Sequence, residues 1–223
     1  MTLAVIQQRL GHEFSDESLL RDALTHRSYG SPNNERLEFL GDGVVNCMVA
    51  LALYRKFPFL PEGDLSRLRA SLVSEPALAA LADTLGVGPC LKLGGGEIKT
   101  GGGNRPSILA DAVEALMGAV LMDGGFDAAA AAVERVFAAP LAAVNPVTTG
   151  KDSKTLLQEY LQHRRMPLPK YGVAAIHGAS HAQEFEVECV IDHLNLRTTG
   201  KGSSRRRAEQ EAARLACEQV MRA

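Results

Sequence analysis

Three carboxylates on one side of an otherwise apolar helix set the first constraint on this chain. They lie in Asn34-Glu35-Arg36-Leu37-Glu38-Phe39-Leu40-Gly41-Asp42-Gly43. A turn of about 100° per residue gathers Glu35, Glu38 and Asp42 into a sector about 60° wide, with Leu37, Leu40 and Val44 nearly opposite. The segment continues as Val44-Val45-Asn46-Cys47-Met48-Val49-Ala50-Leu51-Ala52-Leu53, apolar on most sides, which predicts a central helix rather than a surface one. Asp111 and Glu114 repeat the pattern further on, at i and i+3, opposite Leu109, Val113, Leu116 and Val120. Ala115 and Gly118 beside them would admit a close neighbour. On either helix alone, acids opposite leucines also describe the solvated face of an amphipathic helix. If the two helices pack together, up to five carboxylates converge, and like charges so close call for a bound cation.

The chemistry of that cation follows from the donors. Carboxylates without His or Cys suit a hard ion, Mg²⁺ or Mn²⁺, rather than zinc. Such an ion can activate water for in-line attack on a phosphodiester and stabilise the leaving oxygen. No Ser or Cys sits in a frame suggesting a covalent nucleophile. The glycine-rich stretch Gly94-Gly95-Gly96-Glu97-Ile98-Lys99-Thr100 does not make a nucleotide loop, because Ile98 stands where a phosphate-binding loop needs glycine before its lysine. No nucleotide cofactor is expected.

The grammar of the chain changes near its middle. Residues 1 to about 140 read as successive helices, with residues 94–103, six of them glycine, expected to be a loop. Residues 141–151 read as a linker of Pro, Thr, Gly and Asn. From 152 to 223 a short helix, three strands (Tyr171 to Ile176, Glu184 to Ile191, Leu194 to Thr199) and a closing helix make an α-β-β-β-α unit. Residues 151–223 hold 12 Lys/Arg against 9 Asp/Glu, a net +3, leaving −5 in the remainder of a chain whose total is −2. A polyanion would therefore meet the second part first.

The basic residues of that second part are placed for phosphate. Gly200-Lys201-Gly202-Ser203-Ser204-Arg205-Arg206-Arg207 puts cations at a helix N-terminus, where free N–H groups favour anions. Thr155, Gln158, Glu159 and Gln162 line one side of the opening helix and suit 2′-hydroxyls and base edges in the shallow RNA minor groove. The strands lack the aromatic stacking platform of a single-strand binder. Four cysteines without metal-ligand spacing suggest a reducing cytosol, and no leader or bilayer-spanning stretch is expected.

Together these segments resemble bacterial ribonuclease III over nearly the whole chain. The likeness is carried by His26-Arg27-Ser28-Tyr29, by Asn34 to Gly43, by Glu62-Gly63-Asp64-Leu65-Ser66 and by Ser107 to Leu116. Lys154-Thr155-Leu156-Leu157-Gln158-Glu159 and the Ala208-Glu209-Gln210 helix look like the family's double-stranded RNA-binding domain. The resemblance implies an all-helical endonuclease domain at 1–140 and a double-stranded RNA-binding domain at 152–223. It also implies Mg²⁺-dependent cutting of double-stranded RNA, with Mn²⁺ able to substitute, that leaves 5′-phosphates, 3′-hydroxyls and short 3′ overhangs. Ribosomal RNA precursors and some mRNAs are the implied substrates, in the cytoplasm. By the same likeness Glu38, Asp42, Asp111 and Glu114 bind metal, Asp42 and Glu114 are catalytic, and Glu35 and Glu62 are supporting acids. Thr155, Gln158, Glu159, Gln162, His181, Ser204, Arg205 and Arg206 are the implied RNA contacts. The family is homodimeric, and Phe39, an apolar ring beside the acidic sector, is expected at the interface. A non-catalytic dimeric RNA-binding protein, or a phosphohydrolase of small substrates, would keep part of this pattern.

Overall fold

A computed structural model describes residues 2–146, 148–150, 152–178 and 183–222. Contacts divide the chain into two compact units, Met1–Pro146 and Val147–Ala223. The first is helical: α1 (Leu3–Leu10), α2 (Glu17–Ala23), α3 (Glu35–Lys56), α4 (Glu62–Leu72), α5 (Glu75–Leu85), α6 (Gly95–Lys99), α7 (Pro106–Val136) and α8 (Ala138–Ala143). The ends follow local chemistry. The Asp16 carboxylate caps α2 by accepting from the Ser18 amide at 2.9 Å, and Gly86, at φ 74°, closes α5. This unit runs past the expected limit at 140, since Val144 is buried in the same core as α3 and α7.

Helices α3 and α7 form the centre. Val45, Val49 and Leu53 of the first and Val113, Leu116 and Val120 of the second are fully buried. Both helices are long and apolar enough to cross a bilayer by composition, yet their apolar sides lie in one core cluster. Two glycines set how closely they cross. A methyl on Gly41 would overlap the Glu114 carbonyl oxygen, and one on Gly118 would overlap the Leu37 carbonyl oxygen.

One local expectation is corrected. The stretch 94–103 is not all loop: α6 lies in it, and a 3₁₀ turn at Gly102–Asn104 begins in it. Glu97 of α6 pairs with Arg105 at 2.9 Å, and Gly94 packs where a side chain would overlap the Ser28 carbonyl. The long helix α7 breaks at Gly125, which has φ 76° and ψ −170°. Just before the break, Asp123 accepts from the amides of Ser15 (3.0 Å) and Asp16 (2.8 Å) and pairs with His12 Nε2 (2.7 Å). These contacts fix the loop after α1 to the end of the acid-bearing segment.

The second unit is α9 (Ser153–His163), β1 (Lys170–His177), β2 (Glu184–Ile191), β3 (Leu196–Gly202) and α10 (Arg205–Arg222). The sheet is antiparallel in the order β1-β2-β3. Alternation in β2 sends Val187, Cys189 and Ile191 to the buried side. Strand β3 starts later than expected, because Asp192–Leu194 forms a 3₁₀ turn and Asn195 takes φ 46°. It also runs further, to Gly202, with Gly200 packed so tightly on α10 that a side chain would overlap the Ala212 amide. Leu157 and Leu161 of α9 join Cys189, Ile191, Ala212, Ala213 and Ala216 in this unit's own core.

Candidate metal centre and nucleic-acid interface

The close crossing at Gly41 and Gly118 brings the two acidic faces together. One carboxylate oxygen each from Glu38, Asp111 and Glu114 lie within 4.8 Å of one another. Each residue is half-buried. Partial burial raises all three proton affinities, and repulsion from the other acids adds to it at Glu38 and Glu114. Glu114 is pushed up to about 7, chiefly by burial and then by Asp42, Glu38 and Asp111. Glu38 is raised by burial, then by Asp111 and Glu35, and Asp111 is raised chiefly by burial. Three oxygen donors that hold protons this firmly would be relieved by a divalent cation. Their spacing fits the oxygen shell of Mg²⁺ or Mn²⁺ with room for water. The all-carboxylate donor set therefore fits the expected ion.

Asp42 stands one turn beyond Glu38, exposed to solvent. Its charge is felt at Glu114 and Glu38, but it lies outside the tight group of three. Its Oδ1 accepts a hydrogen bond from Asn46 Nδ2 at 2.7 Å, a tether that the sequence reading missed. Glu35 lines the same cleft as Glu38 and Asp111 and faces Arg27 at 3.5 Å. Glu62 is not brought to the cluster in this chain. It accepts from Ser66 Oγ at 2.6 Å and borders a groove with Leu51, Tyr54 and Arg69 on another part of the unit. As the first residue of α4 it shares neither helix that carries the cluster.

Further residues on the cleft were assigned no role from sequence. His26, Arg27, Asn34, Arg105 and Ser107 line about 330 Å³ of space along with Glu38 and Asp111. Each lies in or beside a turn, where helical periodicity carries no signal. Phe39 is 84% exposed, a large apolar ring facing solvent beside Leu37, Leu40 and Met122.

On the second unit Thr155, Gln158, Glu159 and Gln162 all lie on the exposed side of α9, opposite buried Leu157 and Leu161. His181 falls outside the described residues. Ser204 opens α10, its Oγ accepting from the Arg207 amide at 3.3 Å. A basic groove at this helix start is lined by Lys201, Arg206, Arg207 and Arg214. Arg205 does not line it and instead bonds Glu209 at 2.9 Å. Glu209 also takes Lys154 Nζ at 2.7 Å, which holds its carboxyl below the usual range and ties α9 to α10. Lys201 and Arg207 stood in the basic run, but only the turn at Gly202 shows that they share a groove with Arg206.

Comparison with known proteins gives the same division. A family model described as "Ribonuclease-III-like" matches residues 16–141, and "Double-stranded RNA binding motif" matches 153–220. A Bordetella avium protein named Ribonuclease 3 is 57% identical over 221 residues, covering 99% of this chain and 88% of the relative. One from Aromatoleum aromaticum is 55% identical over 215 residues, covering 96% of each. Among solved structures, the nuclease domain of ribonuclease III from Campylobacter jejuni is similar at a TM-score of 0.60 and 41% identity, covering 64% of this chain and 97% of that one. A second structure of that domain, at 0.58 and 42%, covers 61% and 97% and concerns flexibility in a region involved in its dimer formation.

Proposed function

As a member of the ribonuclease III family the chain is an endoribonuclease, and we propose that it cuts double-stranded RNA in a Mg²⁺-dependent reaction. The products would carry 5′-phosphates, 3′-hydroxyls and short 3′ overhangs. One observation supports this reading best: the oxygen-only cluster of Glu38, Asp111 and Glu114 occurs in a chain that also carries a double-stranded RNA-binding motif.

In this reading Glu38, Asp111 and Glu114 hold the ion and Asp42 completes its setting. Bound Mg²⁺, or Mn²⁺ in its place, would supply a nucleophilic water and neutralise charge on the leaving oxygen. Glu114 would orient that water through its second carboxylate oxygen. Asp42, exposed and one turn along α3, would accept a water proton at the solvent side of the cleft. Glu35 lines the cleft and would act by its charge alone. The α9 side chains would read the minor groove while Lys201, Arg206 and Arg207 follow the phosphates, so the basic unit brings duplex to an acidic one.

The same reading makes the active protein a homodimer, with Phe39 in the interface. An 84% exposed phenylalanine is poorly suited to water, and the related Campylobacter domain is described with a dimer-forming region. Its place would be the cytosol, where the described free cysteines stay reduced, and its substrates ribosomal RNA precursors and some mRNAs. The test is a long perfect RNA duplex incubated in Mg²⁺, in chelator, and with Glu114→Gln. Absence of short 5′-phosphorylated duplexes from the wild-type protein in Mg²⁺ would refute the reading.

A further inference from the structure

The cleft that holds the carboxylates has a second wall of the opposite character. His26 and Arg27 line it together with Glu38 and Asp111. The Arg27 charge lowers the proton affinity of both acids. Arg105 and Asn34 line the same space.

The histidine is held in a defined sense. Its Nδ1 lies 2.8 Å from Ser28 Oγ and accepts from the Ser28 amide at 3.2 Å. The same Ser28 Oγ accepts from the Gly94 amide at 2.9 Å, which holds the serine beside the ring. With Nδ1 an acceptor, the ring proton sits on Nε2, which is left as a donor. Gly94 has no alternative here, because a side chain would overlap the Ser28 carbonyl.

Asn34 supplies an independent observation. It is 2% exposed, yet its Nδ2 has no hydrogen-bond partner. Its backbone is fully engaged, the amide donating to Thr25 O at 2.9 Å and the carbonyl accepting from Glu38 N at 2.8 Å. A buried amide left unpaired is unfavourable and is stabilised when an acceptor enters beside it. Arg27 is only loosely committed, meeting Glu35 at 3.5 Å with its side chain 71% exposed, whereas Arg105 bonds Glu97 at 2.9 Å and Thr100 at 3.2 Å and keeps 43% of its side chain exposed.

We propose that His26, Arg27, Asn34 and Arg105 form a phosphate-binding wall opposite the carboxylates, which grips one phosphodiester of the strand being cut. Every member donates, which matches the acceptor-only oxygens of a phosphodiester. A phosphodiester also brings the negative charge that the two arginines can share. This assignment rests on the duplex-cutting reading above and adds a contact the metal ligands cannot make.

The test is a duplex series in which successive phosphates flanking the cut are replaced by uncharged methylphosphonates. Each is combined with the wild-type protein and with Arg27→Ala, and Asn34→Asp serves as a second variant. Two readouts are taken: single-turnover cleavage in Mg²⁺ and duplex affinity in Ca²⁺. At one linkage, methylphosphonate should weaken the wild-type protein about tenfold in one or both readouts, the size of one charge-assisted contact. At that linkage it should add little to Arg27→Ala. Asn34→Asp, which sets a negative charge against the phosphate, should show the same loss of sensitivity. Equal effects in wild type and variants at every linkage would overturn the proposal. A wild-type protein that cuts no unmodified duplex would refute the nuclease reading, and the affinity arm would still decide the phosphate wall.

Discussion

The backbone of Gly41 rests directly against the carbonyl of Glu114, with no space for a side chain between them. Gly118 makes the reciprocal contact with the Leu37 carbonyl. The separation of Glu38 from Asp111 and Glu114 is therefore set by two backbones touching. Gly41→Ala should force the helices apart, destabilise the unit by roughly 3 kcal/mol or more and abolish cleavage. Gly43→Ala is the contrast, because a methyl there meets nothing within 4 Å. It should be neutral or stabilising by about 1 kcal/mol through helix propensity. Thermal melts and duplex cleavage of the two variants check both statements, and equal melting temperatures would contradict the packing argument.

Glu114→Gln should separate binding from chemistry. The exchange leaves the basic unit untouched, so duplex affinity should stay within about twofold of wild type, while cleavage falls at least about a hundredfold, as for loss of a key catalytic contact. Gel-shift in chelator and single-turnover cleavage in Mg²⁺ measure the two separately.

The raised proton affinity of Glu114 has a consequence for stability. A carboxyl whose folded-state pKa is about 7, against an ordinary 4.5, binds its proton more tightly in the folded chain. Its contribution is present in full below about pH 4.5 and is lost as pH rises through 7. Without metal, Glu114→Gln should therefore be the more stable protein at pH 8, by about 1–2 kcal/mol after discounting for solvent screening. The gain should shrink toward zero at pH 4.5. Melting curves of both proteins in chelator across this range test it, and a gain that grew with acidity would contradict the assignment.

The same proton competes with the ion. Apparent Mg²⁺ affinity should decline about tenfold per pH unit below 7, as Glu114, and then Glu38 and Asp111, take up protons. Calorimetric titration at pH 8 and pH 6 should show weaker binding at the lower pH. A pH-independent affinity would remove Glu114 from the ligand set.

The groove at the start of α10 makes a claim about salt. Arg206 and Arg207 line it, whereas Arg205 is bonded to Glu209. Alanine at Arg206 or Arg207 should weaken duplex binding evenly across sequences and reduce the slope of log affinity against log salt by about one. Alanine at Arg205 should change that slope less. Affinities at four or five salt concentrations decide between the three.

Much of this was legible in sequence because helices announce their faces. The acids of α3 and α7 and the leucines behind them obey one periodicity, and β2 alternates cleanly. Positions fixed by turns were not legible. Nothing periodic marks Asn34 or His26 as cleft residues. Glu62 is a different case, since its neighbours fit the family pattern while its place, at the start of α4 beside a groove with Leu51, Tyr54 and Arg69, is not marked by any periodicity. The 94–103 loop concealed a helical turn because six glycines outweigh, in any propensity reading, one ion pair between Glu97 and Arg105.

The hydrogen bond from Asn46 to Asp42 bears on how the fourth acid is placed. It fixes a carboxylate at the solvent edge of the acidic group, outside the three oxygens that come within 4.8 Å of one another, yet near enough to be the first of the charges that raise the proton affinity of Glu114. In the proposed reading three arms would hold the ion, and a single side-chain amide would decide where the fourth charge stands.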